Sequence, residues 1–112
     1  MYAKKWEDFP EDDQGYAIYH RLLTKESTTN LDIALVRLKP GREIPAHTHE
    51  NKDQAYIVLE GRGILRLGGE EQELSEKMIV HIPPHTEHSV RNPDDVHEFK
   101  YIYVASLVLV ES

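Results

Sequence analysis

His47 and His49 stand two residues apart in the segment Gly41-Arg-Glu-Ile-Pro-Ala-His47-Thr-His49-Glu50. Successive side chains of a strand point to opposite faces. In a strand both imidazoles therefore leave the same face and sit side by side, as two cis ligands of one metal would. The same pair, following Pro45 and Ala46 and preceding Glu50, also fits an exposed loop. The chain has seven histidines and no cysteine, which removes disulfides, thiolate metal sites and a cysteine nucleophile from consideration. A metal here has to be held by imidazole, carboxylate or amide groups. No serine nucleophile elbow, glycine-rich phosphate loop or paired-carboxylate pattern offers a different chemistry.

The elements that must position these groups are short. At 112 residues the chain suits one domain, which excludes a doubly wound nucleotide enzyme or an eight-fold α/β barrel. Twenty acidic against thirteen basic side chains give a formal charge of −7, and no run of five or more Lys or Arg occurs, so nucleic acids and acidic membranes are poor partners. Residues 1–10 carry charge where a secretion signal needs an apolar stretch, and residues 101–110 are too few to cross a bilayer as a helix, so the expected location is cytoplasmic.

Residues 1–15 read as a surface arm, with Trp6 and Phe9 available to staple it down, and residues 16–112 as a single barrel domain. From Tyr16 onward, short apolar runs alternate with period two between Gly, Pro and Asn turns. This predicts strands at 16–23, 32–38, 46–49, 54–60, 63–67, 71–74, 78–82, 88–91 and 98–110, an all-β sandwich or barrel. Residues 54–60 and 101–110 are apolar on both faces. One wall of a barrel needs only one apolar face, so the second predicts either a sandwich interior or the cover of another subunit, and a homodimer is the expectation.

The histidine pair also belongs to a longer pattern. Gly41 is followed after five residues by His47-x-His49, then by four residues, Gln54, six residues and Gly61. This resembles the first motif of the cupin superfamily, with Gln54 in the place of that motif's Glu. Downstream, Pro83, His88 and Asn92 fall at positions of the second cupin motif, whose two glycines are replaced by Lys77 and His85. The resemblance covers about Leu31 to Asn92 and implies an antiparallel jelly-roll barrel, the double-stranded β-helix of the cupins. Carried over position by position, it implies that His47, His49, Gln54 and His88 bind one divalent transition metal (Mn, Fe, Ni, Co or Zn) on the inner face. Three imidazoles and an amide would leave positions of an octahedral ion open to water or substrate. An amide in place of a carboxylate keeps the ion's full charge, which favours anionic ligands but holds the metal less tightly. If Gln54 does not ligate, the site is vestigial or three-coordinate. Some small cupins share this His-His-Gln-His set, among them the pectin-degradation cupins that open unsaturated uronate sugars. Those carry an Asp-x-Phe and a later Arg where this chain has Tyr101-Ile-Tyr-Val-Ala-Ser-Leu107.

If Gln54 faces inward, Tyr56 does too, which makes Tyr56 a candidate for proton transfer or substrate contact. His85, at a turn, is the other catalytic candidate, or else an exposed turn residue. His81 either lines the barrel or faces a partner, His20 and His97 read as surface, and Glu50 reads as solvated. Arg37 and Arg66 are candidates to point inward and clamp a substrate carboxylate. Together these imply a metalloenzyme of isomerase or lyase type acting on a small oxygenated anion such as a keto acid or sugar acid. An Fe(II) dioxygenase and a non-catalytic small-ligand sensor are the alternatives.

Overall fold

In the long strands buried and accessible residues alternate, and that alternation builds two facing sheets. A computed structural model describes residues 1–107. The strands are β1 (Asp12–Asp13), β2 (Ala17–Leu23), β3 (Leu31–Leu38), β4 (Glu43–His47), β5 (Lys52–Glu60), β6 (Gly63–Leu67), β7 (Glu70–Leu74), β8 (Ile79–Ile82), β9 (His88–Arg91) and β10 (Phe99–Leu107). One sheet has the order β1-β2-β3-β10-β5-β8 and the other β4-β9-β6-β7. All the strand pairings are antiparallel. This is the all-β antiparallel jelly roll that the resemblance to the cupins implies. Val108, Leu109 and Val110, placed in the last strand by their pattern, lie outside the described residues.

The register of the larger sheet sorts its inner face into rows. Ala17, Leu38 and Phe99 form one row, all fully buried. Tyr19, Val36, Tyr101 and Val58 form the next. Then come Arg21, Ala34, Tyr103, Tyr56 and Val80, followed by Asp32, Ala105, Gln54 and Ile82. The charged and amide side chains fall in the last two rows, so the apolar first row closes one end of the interior and the other end is left for chemistry. On β5, Gln54, Tyr56 and Val58 are buried while Ala55, Ile57 and Leu59 are not, as the two-face reading requires.

Gly61 and Gly63 make the turn into β6 close against β10. Gly61 has φ 78° and a Cβ there would stand 2.5 Å from the Glu98 carbonyl oxygen, while one at Gly63 would meet the Phe99 ring at 2.4 Å. The two positions where the second motif lacks its glycines keep a glycine-like backbone, with φ 71° at Lys77 and 62° at His85. Such left-handed residues cost roughly 1–2 kcal/mol each. Asn92 is buried and ties the end of β9 to its surroundings, its Nδ2 donating to the carbonyls of Leu38 (3.1 Å) and His97 (2.8 Å).

The N-terminal arm carries structure of its own. It contains a 3-10 turn at Trp6–Asp8 and the short strand β1, which pairs with β2. Its Glu11 accepts from Arg37 at 3.1 Å, and Asp13 accepts from Lys39 at 3.0 Å. It also covers His20, expected at the surface but only 7% exposed, with Nδ1 3.3 Å from the Phe9 carbonyl oxygen. Arg37 faces away from the interior, its Nε donating to Glu98 at 3.1 Å, and Arg66 is exposed on β6. Neither arginine points into the barrel. Each lies on the face of its strand opposite the buried residues Val36 and Leu65.

Candidate metal centre

The site is assembled by a break in strand periodicity. On β4, Ile44 pairs with Val90 and His47 with His88, so three steps along β4 match two along β9. Residues three apart in a regular strand face opposite sides. The β-bulge resets that parity, and Ile44 and His47 both line the interior cavity. Pro45, which has no N–H to give to a ladder, lies inside the bulge. The strand ends at His47, so His49 lies beyond it and not within the strand predicted at 46–49. Its carbonyl accepts the backbone N–H of His85 at 2.8 Å, which ties the loop after β4 to the turn after β8.

His47, His49 and His88 converge, each offering a ring nitrogen within 4.8 Å of the others'. The ring centroids are 4.2 Å apart for His47 and His88, 4.8 Å for His47 and His49, and 5.8 Å for His49 and His88. Two of the rings are oriented by their own chain. His47 Nδ1 lies 2.8 Å from the Pro45 carbonyl oxygen and His88 Nδ1 3.0 Å from that of Thr86. A carbonyl only accepts, so each Nδ1 carries the proton and each Nε2 keeps a free lone pair.

The donors fit a metal ion on a second ground. His88 Nε2 and both amide atoms of Gln54 are buried with no hydrogen-bond partner. Leaving such a group unsatisfied costs about 1–3 kcal/mol. A cation among His47, His49, His88 and the Gln54 oxygen would satisfy the lone pairs. Of the residues the motifs singled out, the structure brings His47, His49 and His88 together. His47, His49, Gln54 and Tyr56 line one cavity of about 280 Å³. His85 is exposed and outside that lining. His81 faces outward with its Nε2 2.5 Å from Asp53, and His97 and Glu50 are exposed.

Burial, with a smaller contribution from Lys52, holds the His49 imidazole down to about 4. Burial likewise lowers His88. Both rings therefore stay neutral, the form a metal needs, below the pH at which an ordinary histidine gains its proton. A folded-state value below the unfolded one means the unfolded chain binds more protons between the two. The stability involved is complete above about 6.5 and is lost as pH falls toward 4. Asp13 and Asp94, lowered by hydrogen bonds from backbone N–H groups, lose their contributions only below the ordinary carboxylate value of 3.8. The urea midpoint of the protein in EDTA is thus expected to fall between about pH 6.5 and 4, and to fall less in His49→Gln. Equal slopes for the two proteins would show that His49 titrates normally.

Sequence reasoning missed the cavity's outer wall. Arg21 lines it, not Arg37 or Arg66, together with Tyr16, Tyr19, Tyr101, Tyr103 and Lys52. Period-two alternation along 16–23 puts Tyr19 and Arg21 on one face, so the signal was present but was not tied to the cavity. Burial raises Tyr56, Tyr101 and Tyr103 well above the ordinary phenol value, so at neutral pH they are hydrogen-bond donors and not bases.

The Cupin_2 family, described as a cupin domain, matches residues 34–105, the span from β3 to β10 that carries all four candidate ligands. The chain is a cupin. It is 30% identical over 93 residues to an uncharacterized protein of Aquifex aeolicus, covering 83% of this chain and 75% of that one. An uncharacterized protein of Methanocaldococcus jannaschii is 34% identical over half of this chain and 45% of its own. A mannose-1-phosphate guanylyltransferase of Salmonella typhimurium is 31% identical over 61% of the cupin but only 14% of its own length. The cupin thus spans less than half of these last two relatives. In fold it is similar to a predicted oxalate decarboxylase of Thermotoga maritima, with TM-score 0.88, 19% identity, and 96% and 100% of the two chains covered. It is also similar to KdgF from a Halomonas species, with TM-score 0.79, 23% identity and 89% of each chain covered.

Proposed function

We propose that this cupin is a metal-dependent enzyme of isomerase or lyase type acting on a small oxygenated anion, such as a keto acid or sugar acid. His47, His49, Gln54 and His88 would hold one divalent ion (Mn, Fe, Ni, Co or Zn). The observation that carries the reading is the convergence of three imidazoles, with the buried, unpartnered Gln54 amide lining the same cavity as His47 and His49. When bound, a divalent ion supplies Lewis-acid stabilisation of charge developing on a substrate oxygen. Tyr56, 3% exposed and held protonated, offers an O–H to a substrate atom in the cavity. With four neutral donors no ligand charge offsets the ion, which supports an anionic substrate. The names of two structural neighbours, a predicted oxalate decarboxylase and KdgF, fit a small-molecule reaction.

We take residues 1–15 as the arm of one barrel domain, 16–112, and the protein as a cytoplasmic homodimer. Supporting the dimer, the outward face of the larger sheet leaves Ile57 39% and Ile79 68% exposed, with Ile102 and Val104 only partly covered. Among the described residues no helix is long and apolar enough to cross a membrane.

The reading is tested by NMR screening of keto acids and uronates with protein loaded in turn with each metal, with and without oxygen. Turnover of at least one anion under anaerobic conditions is expected. A strict need for dioxygen would point to a dioxygenase, and binding without turnover under every metal would make the protein a sensor or carrier.

A further inference from the structure

We infer that Arg21 selects a ligand bearing a carboxylate, gripping it at the cavity mouth while the ligand's hydroxyl groups lie along a wall of tyrosines. The inference deepens the proposed function by naming the outer half of the ligand, and its inner end rests on that reading.

Alternation along β2 turns Tyr19 and Arg21 to the same inner face, and register sets Arg21 in the row of Ala34, Tyr103 and Tyr56, one row from Gln54. Its immediate neighbour in that row is an alanine, which leaves space beside the guanidinium. The guanidinium is held from two sides. It lies over the Tyr19 ring, 4.5 Å from the centroid, and its Nη2 donates to Asp12 Oδ2 at 3.2 Å. Asp12 belongs to β1 and is itself fixed by Gln14, whose Nε2 donates to Oδ1 at 2.6 Å. The arm therefore does more than cover the outside of the barrel, since it aims a side chain that lines the cavity.

A guanidinium has five N–H donors in a planar fork. Asp12 engages one, and the Arg21 side chain is still 49% exposed, so donors remain for a ligand. A planar, singly charged carboxylate matches that fork and its partly offset charge, whereas a dianionic phosphate would sit against Asp12. The other cation of the lining, Lys52, is 3.8 Å from Asp32.

Five of the chain's six tyrosines line the same cavity: Tyr16, Tyr19, Tyr56, Tyr101 and Tyr103. Each phenol donates one hydrogen bond and accepts others, and Tyr16 and Tyr19 already exchange one at 3.2 Å. A wall of this kind suits a ligand rich in hydroxyls. At about 280 Å³ the cavity lies near the small end of ligand sites, which run from roughly 300 to 1,000 Å³. That is room for a monosaccharide-sized acid.

The test compares glucuronate, glucose and glucose 6-phosphate by ligand-observed NMR titration of wild type, Arg21→Gln and Arg21→Lys, in metal-loaded and metal-free protein. Wild type should bind glucuronate more tightly than the other two. Arg21→Gln should weaken glucuronate about 10- to 100-fold, the loss of a hydrogen bond to a charged group, and leave glucose unchanged. Arg21→Lys should recover part of the loss. Wild type preferring glucose or the phosphate, or Arg21→Gln weakening glucuronate and glucose equally, would overturn the assignment. Metal content, measured alongside, separates this from the metal reading. A protein that takes up no metal yet loses glucuronate through Arg21→Gln keeps the carboxylate site and loses the metal centre, and the reverse result does the opposite.

Discussion

His88→Ala is expected to lower divalent metal affinity by at least about 100-fold, more than disruption of a supporting hydrogen bond typically costs. His88 is 2% exposed and lies directly across the β4–β9 ladder from His47, with Nδ1 anchored on the Thr86 carbonyl and Nε2 unpartnered. Removing it takes one lone pair from a group of three imidazoles and leaves His47, at the end of β4, and His49, in the loop after it, with less to converge on. Two opposing effects act on the fold. The truncation opens space in the interior, but it also deletes a buried atom without a partner. The metal-free variant should therefore melt close to the metal-free wild type. With metal the two should part. Binding to the native state adds RT ln(1 + [M]/Kd), about 2.7 kcal/mol at a concentration of 100 Kd, and the variant should lose this increment. Elemental analysis of protein prepared without chelator or His-tag, together with melting curves in EDTA and in each metal, checks this. Equal metal content in the two proteins would remove His88 from the site.

The histidine spacing was legible because it is a property of the local chain, and the fold because alternation repeats over nine strands. What the pattern did not carry was parity. A two-residue spacing puts His47 and His49 on one face only inside a continuous strand, and the structure ends β4 at His47. The convergence comes instead from a bulge at Pro45 and from the His49–His85 backbone hydrogen bond, which is a contact between distant segments. Neither has a signature in a window of alternating residues. The same limit explains the arginines. Alternation places Arg21, Arg37 and Arg66 on definite faces of their strands, but which face is the interior depends on the register of the whole sheet. The register of the whole sheet sets Arg21 in the inner row of Ala34, Tyr103 and Tyr56. His20 was misplaced for a related reason. Its cover is the arm, whose acidic composition gave no sign that Glu11 and Asp13 would pair with Arg37 and Lys39 and hold it down.

Gln54→Glu is expected to change the site in two directions at once. The side chains are nearly isosteric, and Gln54 is 3% exposed between buried Ala105 and Ile82, so packing is preserved and the difference is charge. In metal-free protein a carboxylate there is desolvated by burial, so its pKa rises and the native state is destabilised relative to wild type. With a divalent ion the same carboxylate is a better donor than an amide and removes one unit of the site's positive charge. Metal affinity should rise by about tenfold or more, and the gap between melting temperatures with metal and with EDTA should widen beyond that of wild type. The cost should fall on the ligand. An anion chelated at the open positions meets a less positive ion, so affinity for a small carboxylate should drop by about tenfold while a neutral polyol is little affected. Isothermal titration of the metal, followed by titration of the carboxylate into loaded protein, reads both changes. If metal affinity is the same with Gln and Glu, the side chain at position 54 does not reach the ion, and the centre is a three-histidine site with a buried amide turned elsewhere. If metal affinity rises but the anion binds as before, the ligand is held by the wall and by Arg21 and not by the ion. Those two results assign position 54 and the anion contact separately, which a loss-of-function variant such as Gln54→Ala would not do.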